Sequence, residues 1–261
     1  MPLVRDLMLL EVLTSPEAQR RGSLGVARLA AITGLDQSVV SRALRSLEAE
    51  GVVVRDAVSK GYSLGWRLPM LVASTAVSTV MRLADQVMRE LATTYPDGIQ
   101  SVVFLRNNRV FLPYNLSGGR VFPDQPWSGK GRPAFCTAPG RALLSDRTPT
   151  ELRRMYPDGL PLEEAPYSSV RTIDDLVKVV QRARADGYAA TDGQYQPGLV
   201  GAAAPIRDQS GTIVAALNVT LAHLSPTQPE RQLELDAAGR TIARTVNAAS
   251  KRLGWIPFPV G

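Results

Sequence analysis

Two groups of polar side chains in this 261-residue sequence have the types and spacing to do chemistry. The first is Ser38, Ser41, Arg42 and Arg45, which recur at helical spacing within Gln37 to Ala49. Val40, Ala43, Leu44 and Leu47 form an apolar stripe at the same spacing, and at ~100° per residue the two sets fall on roughly opposite sides of one helix. Small hydroxyls beside arginines let a helix approach a DNA major groove, where Ser bonds base edges or phosphates and Arg grips guanine or phosphate. Gln37 stands at the N-terminal end, where recognition helices touch bases. A plain solvent-facing helix carries similar residues, so its neighbours must decide.

The second group is Asn218 and Thr220. From Thr212 to Thr220 the residues alternate as in a strand, with Val214, Ala216, Asn218 and Thr220 on one side and Ile213, Ala215, Leu217 and Val219 on the other. A small apolar face that ends in an amide and a hydroxyl suits a pocket that fixes a ligand's carboxylate or hydroxyl. The plainer reading is a strand end turning to solvent.

Other chemistries find no constellation. With one cysteine, Cys136, and one histidine, His223, the chain has no intrachain disulfide and too few Cys and His ligands for a zinc site. Cys136 reads as a buried small hydrophobe, since no paired base activates it, and His223 as a surface residue or hydrogen-bond partner. Gly129-Lys130-Gly131 lacks the remaining glycines and the Lys-Ser/Thr ending of a phosphate loop. Glu163-Glu164 and Asp174-Asp175 are adjacent and point apart, and no Gly-x-Ser-x-Gly or dinucleotide motif is present. No catalytic residue, metal or cofactor is expected.

The elements that must position these groups are readable at low resolution. Asp6 to Leu13 and Val26 to Ile32 predict helices separated by a polar loop, Thr14 to Gly25. Thr33-Gly34-Leu35 gives the short turn a helix-turn-helix needs, and Asp36 is placed to cap Gln37 to Ala49. Gly51 ends that helix. Val52 to Arg55 and Gly61 to Leu64 then pair as a wing, with Arg55 and Lys60 able to reach phosphate or a minor groove. Leu68 to Thr94 predicts one long helix or two abutting ones, with Val72, Ala76, Val80, Leu83, Val87 and Leu91 as its stripe. Asn107-Asn108 turns a hairpin between Gln100 to Arg106 and Arg109 to Asn115, through a pair that accepts positive φ. Gly118 to Arg132 reads as a loop, a candidate lid. Thr148 to Glu151 is a capping box, Asp174 to Asp186 a helix stopped by Gly187, and Leu199 to Ile206 with Thr212 to Thr220 a hairpin. Pro229 to Leu253 closes as an amphipathic helix on Leu233, Ala237, Ile242, Val246 and Ala249, followed by an apolar tail at 254–259.

Composition is globular: 44% hydrophobic and 21% charged residues, with a net charge of +6. Residues 1–66 hold eight Lys and Arg against seven Asp and Glu, so the excess cation does not gather there and placement must carry the argument. Leu68 to Met81 falls short of the ~20 apolar residues a membrane span needs, and the N-terminus has no secretion-signal pattern, so a cytoplasmic location is expected.

Gly34-Leu35, Ser38 to Arg42, Leu44 to Gly51 and Gly61 to Gly65 resemble the IclR family of bacterial regulators. So do Thr137-Ala138-Pro139-Gly140-Arg141-Ala142-Leu143-Leu144, with Arg141 in the place of a lysine, Ala185 to Tyr188, and Pro197 to Pro205. The resemblance covers nearly the whole chain. It implies an α+β chain with a winged helix-turn-helix over 1–66, a linker helix over 67–82 and a GAF-like effector-binding domain over 83–261, its antiparallel sheet flanked by helices. It further implies a homodimer, with a tetramer left open, on a roughly palindromic operator in double-stranded DNA. A small organic acid would be the effector. The DNA-contacting positions would be Gln37, Ser38, Ser41, Arg42, Arg45, Arg55 and Lys60. Effector positions fall by resemblance on Thr137, Ala138, Leu143, Thr191, Gly201, Asn218 and Thr220. Members that take small keto acids have serines at the last two and a cysteine where Gly201 stands; the smaller Gly201 is expected to leave room for a bulkier ligand such as an aromatic acid. A repressor is the expected role. Two competing readings are an enzyme with an N-terminal interaction module and a purely architectural DNA binder, which leaves a second domain of about two-thirds of the chain unexplained.

Overall fold

In the computed structural model residues 2–73, 76–122, 131–221 and 227–252 are described. Helix α1 (Pro2–Leu13) starts ahead of the expected Asp6, because proline's missing N–H costs nothing at a first helical position. The stretch 14–25, expected as a loop, contains helix α2 (Pro16–Arg21): Ser15 caps it from its side chain, Pro16 occupies the first turn and Gly22 closes it in the left-handed region. Helix α3 (Val26–Thr33) ends at Gly34, whose φ of +71° brings its N–H onto the Ala30 carbonyl and turns the chain toward helix α4 (Gln37–Ala49). Asp36 stands at the cap position of α4, but its side chain makes no capping bond. Strands β1 (Val53–Arg55) and β2 (Tyr62–Leu64) pair antiparallel as the wing, and Leu24 bridges to Tyr62. Leu9, Leu13, Leu29, Val40, Leu44, Val53 and Tyr62 fill the core of this unit, which is Met1–Ser78.

Helix α5 (Arg67–Ala73) is followed by α6 (Ala76–Thr94). Val80, Leu83, Val87 and Leu91, together with Ala84 and Met88, are buried in the core of the second unit, Thr79–Gly261. This part of the stripe is therefore internal. Strands β3 (Ile99–Arg106), β4 (Arg109–Ser117), β5 (Arg120–Phe122), β6 (Arg132–Pro133), β7 (Ala189–Asp192), β8 (Val200–Arg207) and β9 (Ile213–Leu221) form one antiparallel sheet, in the order β5-β4-β3-β9-β8-β7 with β6 on β4. The β3–β4 turn is two residues long, but only Asn107 takes a positive φ. The expected loop 118–132 contains β5 and β6 instead: Gly118 and Gly119, both at positive φ, turn a two-residue hairpin between β4 and β5. The lid reading of this stretch falls largely on 123–130, outside the described residues, as do His223 and the tail.

Between β6 and β7 lie helices α7 (Ala138–Leu144), α8 (Pro149–Met155) and α9 (Ile173–Asp186). The capping box of Thr148 and Glu151 is present, and Thr172 with Asp175 makes a second that sequence reading missed. Helix α10 (Gln228–Arg252) buries Leu235, Ala238, Ile242, Val246 and Ala249. Leu233 and Ala237 are exposed, so the helix is phased on Leu235. The two sheet faces carry separate cores: Leu217, Val219, Ala202 and Ala204 pack with α6 and α10, while Val103, Ala203 and Ala216 pack with α7 and α9.

Candidate nucleic-acid interface and ligand site

On α4 Val40, Ala43 and Leu44 are buried, while Gln37, Ser38, Arg42 and Arg45 are exposed and Ser41 is half-buried. The arginines elsewhere in this unit mostly have carboxylates: Arg5 on Asp6 (2.7 Å), Arg21 and Arg28 on Glu17 (3.2 and 2.8 Å), and Arg67 on Glu50. Arg42 and Arg45 have none among the described residues, and their Nε atoms only donate to the Ser38 and Ser41 carbonyls one turn back, at 3.4 Å each. On the wing Arg55 donates to the Lys60 carbonyl at 3.5 Å and lies over the Tyr62 ring, 5.7 Å from its centroid. At the wing tip Asp56 Oδ1 accepts from the Ser59 N–H and hydroxyl and from the Val58 N–H, bonds that hold its carboxyl below the usual range. Arg42, Arg45 and Arg55 are thus left without a carboxylate among the described residues, available to an anion.

The seven expected ligand positions gather on the α7-facing side of the sheet or on α7 itself. Thr191 pairs with Gly201 and Gly201 with Thr220, while Asn218 pairs with Ala203 one row along. Asn218 is 5% exposed and donates from Nδ2 to Thr220 Oγ1 at 3.3 Å. Thr137 caps α7, accepting from the Gly140 N–H at 3.2 Å, and Ala138 and Leu143 are buried in the core that also holds Ala203 and Ala216. The alternation read along β9 breaks near its start. A register shift at Ile206/Arg207 puts Val214 on the α10 side and Ile213 on the α7 side, opposite to expectation.

Gly201 does not open the space assigned to it. A Cβ there would lie 2.9 Å from the Val219 carbonyl oxygen and 3.4 Å from Asn218 Oδ1, so the glycine accommodates its neighbour strand and the Asn218 side chain. Sequence reading also missed Ser101 and Asn115, two buried polar residues level with Asn218, whose signal was a polar residue within apolar strand runs. An open cleft of about 390 Å³ lies at the other end of β3, lined by residues such as Leu105, Asn107 and Arg154; it includes none of the expected positions.

Arg141 is 6% exposed. Its Nε donates to the Phe135 carbonyl at 2.9 Å and its Nη2 to Gln194 Oε1 at 3.3 Å, and no carboxylate meets it among the described residues. Burial brings its pKa down to about 10. The same burial pushes the neighbouring Cys136 thiol up to about 12, with Arg141 opposing, so the sulfur stays protonated at neutral pH. Native protein is expected to leave a thiol-reactive disulfide reagent untouched at pH 7.5, and guanidinium-unfolded protein to react. Equal rates in the two states would remove the buried-thiol assignment.

Comparison with known proteins places the whole arrangement. Residues 2–57 match the IclR helix-turn-helix domain and residues 72–248 the model described as bacterial transcriptional regulator IclR C-terminal. Among curated proteins, the transcriptional regulator KdgR of Escherichia coli is 26% identical over 244 residues, covering 90% of this chain and 88% of that protein. The Pca regulon regulatory protein of Pseudomonas putida is 28% identical over 214 residues, covering 77% of this chain and 69% of that one. Among solved structures, an IclR homologue of Microbacterium hydrocarbonoxydans complexed with 4-hydroxybenzoate has a TM-score of 0.64 at 21% identity, covering 95% of this chain and 100% of that one.

Proposed function

The chain belongs to the IclR family of bacterial transcriptional regulators, and from that premise we propose that it works as a homodimeric repressor whose grip on a roughly palindromic operator is set by a small organic acid. It is a regulator with a helix-turn-helix for DNA and a ligand-binding C-terminal domain, not an enzyme. The observation that carries the DNA-contact assignment is the selective pairing of cations within the N-terminal unit: Arg5, Arg21, Arg28 and Arg67 have carboxylates, whereas Arg42, Arg45 and Arg55 meet none among the described residues, and Lys60 stands beside them on the wing near Asp56. On this reading Gln37, Ser38, Ser41, Arg42 and Arg45 enter the major groove, and Arg55 and Lys60 follow the backbone beside it.

Pairing of two chains is supported by apolar side chains that the N-terminal unit leaves in solvent, Leu3, Val4 and Leu7 on α1 with Trp66 and Met70 further on. A two-fold dimer presents two recognition helices to two half-sites, hence the palindrome. Residues 67–82 would link the two domains, so that ligand binding alters half-site spacing, a coupling between two sites. No helix among the described residues is long and apolar enough to cross a membrane; the proposed place of work is the cytoplasm.

The effector is proposed to sit among Thr137, Ala138, Leu143, Thr191, Gly201, Asn218 and Thr220. An aromatic acid is the candidate to try first, and the solved 4-hydroxybenzoate complex makes that compound a natural member of the panel. The test is a mobility shift of DNA upstream of the protein's own gene, with and without small carboxylic and aromatic acids. A specific shift relieved by one acid is expected. Replacing Asn218 and Thr220 together by Val should leave the shift intact and cost the ligand response about 10-fold or more in effector concentration, since buried acceptors lose their donors. A double variant that responds as the original does would move the effector site elsewhere, and no shift on any fragment would sink the operator reading.

A further inference from the structure

We infer that the ligand site continues across β3 and ends on β4, where the Asn115 side-chain amide donates a hydrogen bond to a second oxygen of the effector; this rests on the effector reading above. Ser101 stands opposite Asn218 on one side and opposite Asn115 on the other, so the three side chains form one cross-strand row on the α7-facing side of the sheet. They are 1%, 5% and 3% exposed for Ser101, Asn218 and Asn115. The neighbouring inward positions are Val103, Ala203 and Ala216. A buried polar row in such company persists where its hydrogen bonds are met.

Bond directions show what is missing. The Ser101 hydroxyl donates to Asn115 Oδ1 at 2.7 Å, which uses the carbonyl end of that amide. The Nδ2 end has no acceptor. At the other end of the row Asn218 Nδ2 donates to Thr220 Oγ1, so the Thr220 hydroxyl still has its own proton to give. The row therefore offers donors at both ends and contains no carboxylate, which selects a ligand bearing acceptor oxygens.

Spacing then sets the ligand's length. Asn115 and Asn218 lie two strand spacings apart, roughly 10 Å between backbones, too far for one carboxylate to satisfy both. The effector accordingly carries oxygens at two ends of a body lying over Ser101, as a hydroxy-aromatic acid or a dicarboxylic acid does. A two- or three-carbon keto acid reaches one end only. Gly201 supplies no room for such a body, since its Cβ position is taken.

The experiment is calorimetric titration of the full-length protein with pyruvate, benzoate, 4-hydroxybenzoate and terephthalate. One of the two-ended acids is expected to bind at least about 10-fold tighter than benzoate, the ratio that one buried hydrogen bond supplies. Asn115→Leu should erase that ratio, so that the two-ended acids bind no tighter than benzoate. Asn115→Ala, which removes the donor without adding bulk or charge, should do the same and guards against a packing defect in the first variant. Two-ended acids that keep their full advantage over benzoate in both variants would overturn the role of Asn115 while leaving the Asn218 and Thr220 site standing. Preference of the original for pyruvate or benzoate, or binding of none of the four, would overturn the two-ended class. Operator binding, measured separately without ligand, tells either failure from failure of the regulator reading itself.

Discussion

Replacing Arg42 and Arg45 together by alanine is expected to lower specific operator affinity by at least about 100-fold, because each arginine that grips guanine or phosphate is worth ~1–3 kcal/mol and the proposed symmetric dimer would lose each contact twice. The fold should not notice. Both side chains are exposed, neither meets a carboxylate among the described residues, and their bonds to the helix's own carbonyls are long at 3.4 Å. Alanine is also the better helix former, so stability should stay within about 0.5 kcal/mol. Affinity measured by mobility shift at fixed salt, beside a thermal melt of the same preparations, separates the two effects. Full affinity in a well-folded double variant would remove α4 from the major groove. A loss that appears equally on unrelated DNA would mean the arginines meet phosphate alone, and should come with a shallower salt dependence.

The recognition helix was legible because every local signal agrees. A polar stripe and an apolar stripe separate at the helical period, Gly34 breaks the chain before it, Gly51 follows it, and a strand pair comes after. Where sequence reading failed, the deciding information was either overlooked or nonlocal. Helix α2 carries its own Ser-Pro-Glu start and Gly22 stop, but six residues hold too little periodicity to stand out against a polar background. The β5 strand hides behind two glycines that read as loop and in fact supply the positive φ of a tight hairpin. On helix α10 the expected Ile242, Val246 and Ala249 are buried, but at its start Leu235 and Ala238 take the places expected for Leu233 and Ala237, because Leu and Ala stand on both faces there.

The candidate ligand site divides the same way. Asn218 and Thr220 announce themselves by alternation in one strand, and the structure puts them beside Gly201 and Thr191. Ser101 and Asn115 each stand as a polar residue in an apolar strand run of one hairpin, but their place in a row with Asn218 depends on the pairing of β3 with β9, which lies far along the chain and leaves no local mark. The Val214 reversal has the same cause: a bulge between two strands shifts which residues share a face, and a single strand's pattern does not record its partner's register. Burial of Arg141 is equally nonlocal, since its acceptor Gln194 lies 53 residues on.

Gly140→Val should be severely damaging to the C-terminal unit, lowering its thermal midpoint by roughly 10 °C or preventing folding. A Cβ at Gly140 would stand 2.1 Å from the Ala134 carbonyl oxygen and 2.5 and 2.6 Å from its Cα and carbonyl carbon. All three are backbone atoms, so no side-chain rotation relieves the overlap. Helix α7 would have to lift off the single 3-10 turn before it, Ala134–Cys136. That movement breaks the Thr137 cap, whose acceptor meets the Gly140 N–H itself, and strains the Arg141 bond to Phe135. Overpacking of this kind costs ~3 kcal/mol or more, and at ~2–4 °C per kcal/mol for a unit of this size the expected shift follows. Gly118→Ala is the matched control: its φ is +53° but nothing approaches its Cβ position, so only the backbone penalty of ~1 kcal/mol applies. A Gly140→Val protein that melts no lower than Gly118→Ala would show that α7 is not held against the turn, and would loosen Thr137, Ala138 and Leu143 from the sheet face to which the effector is proposed to bind.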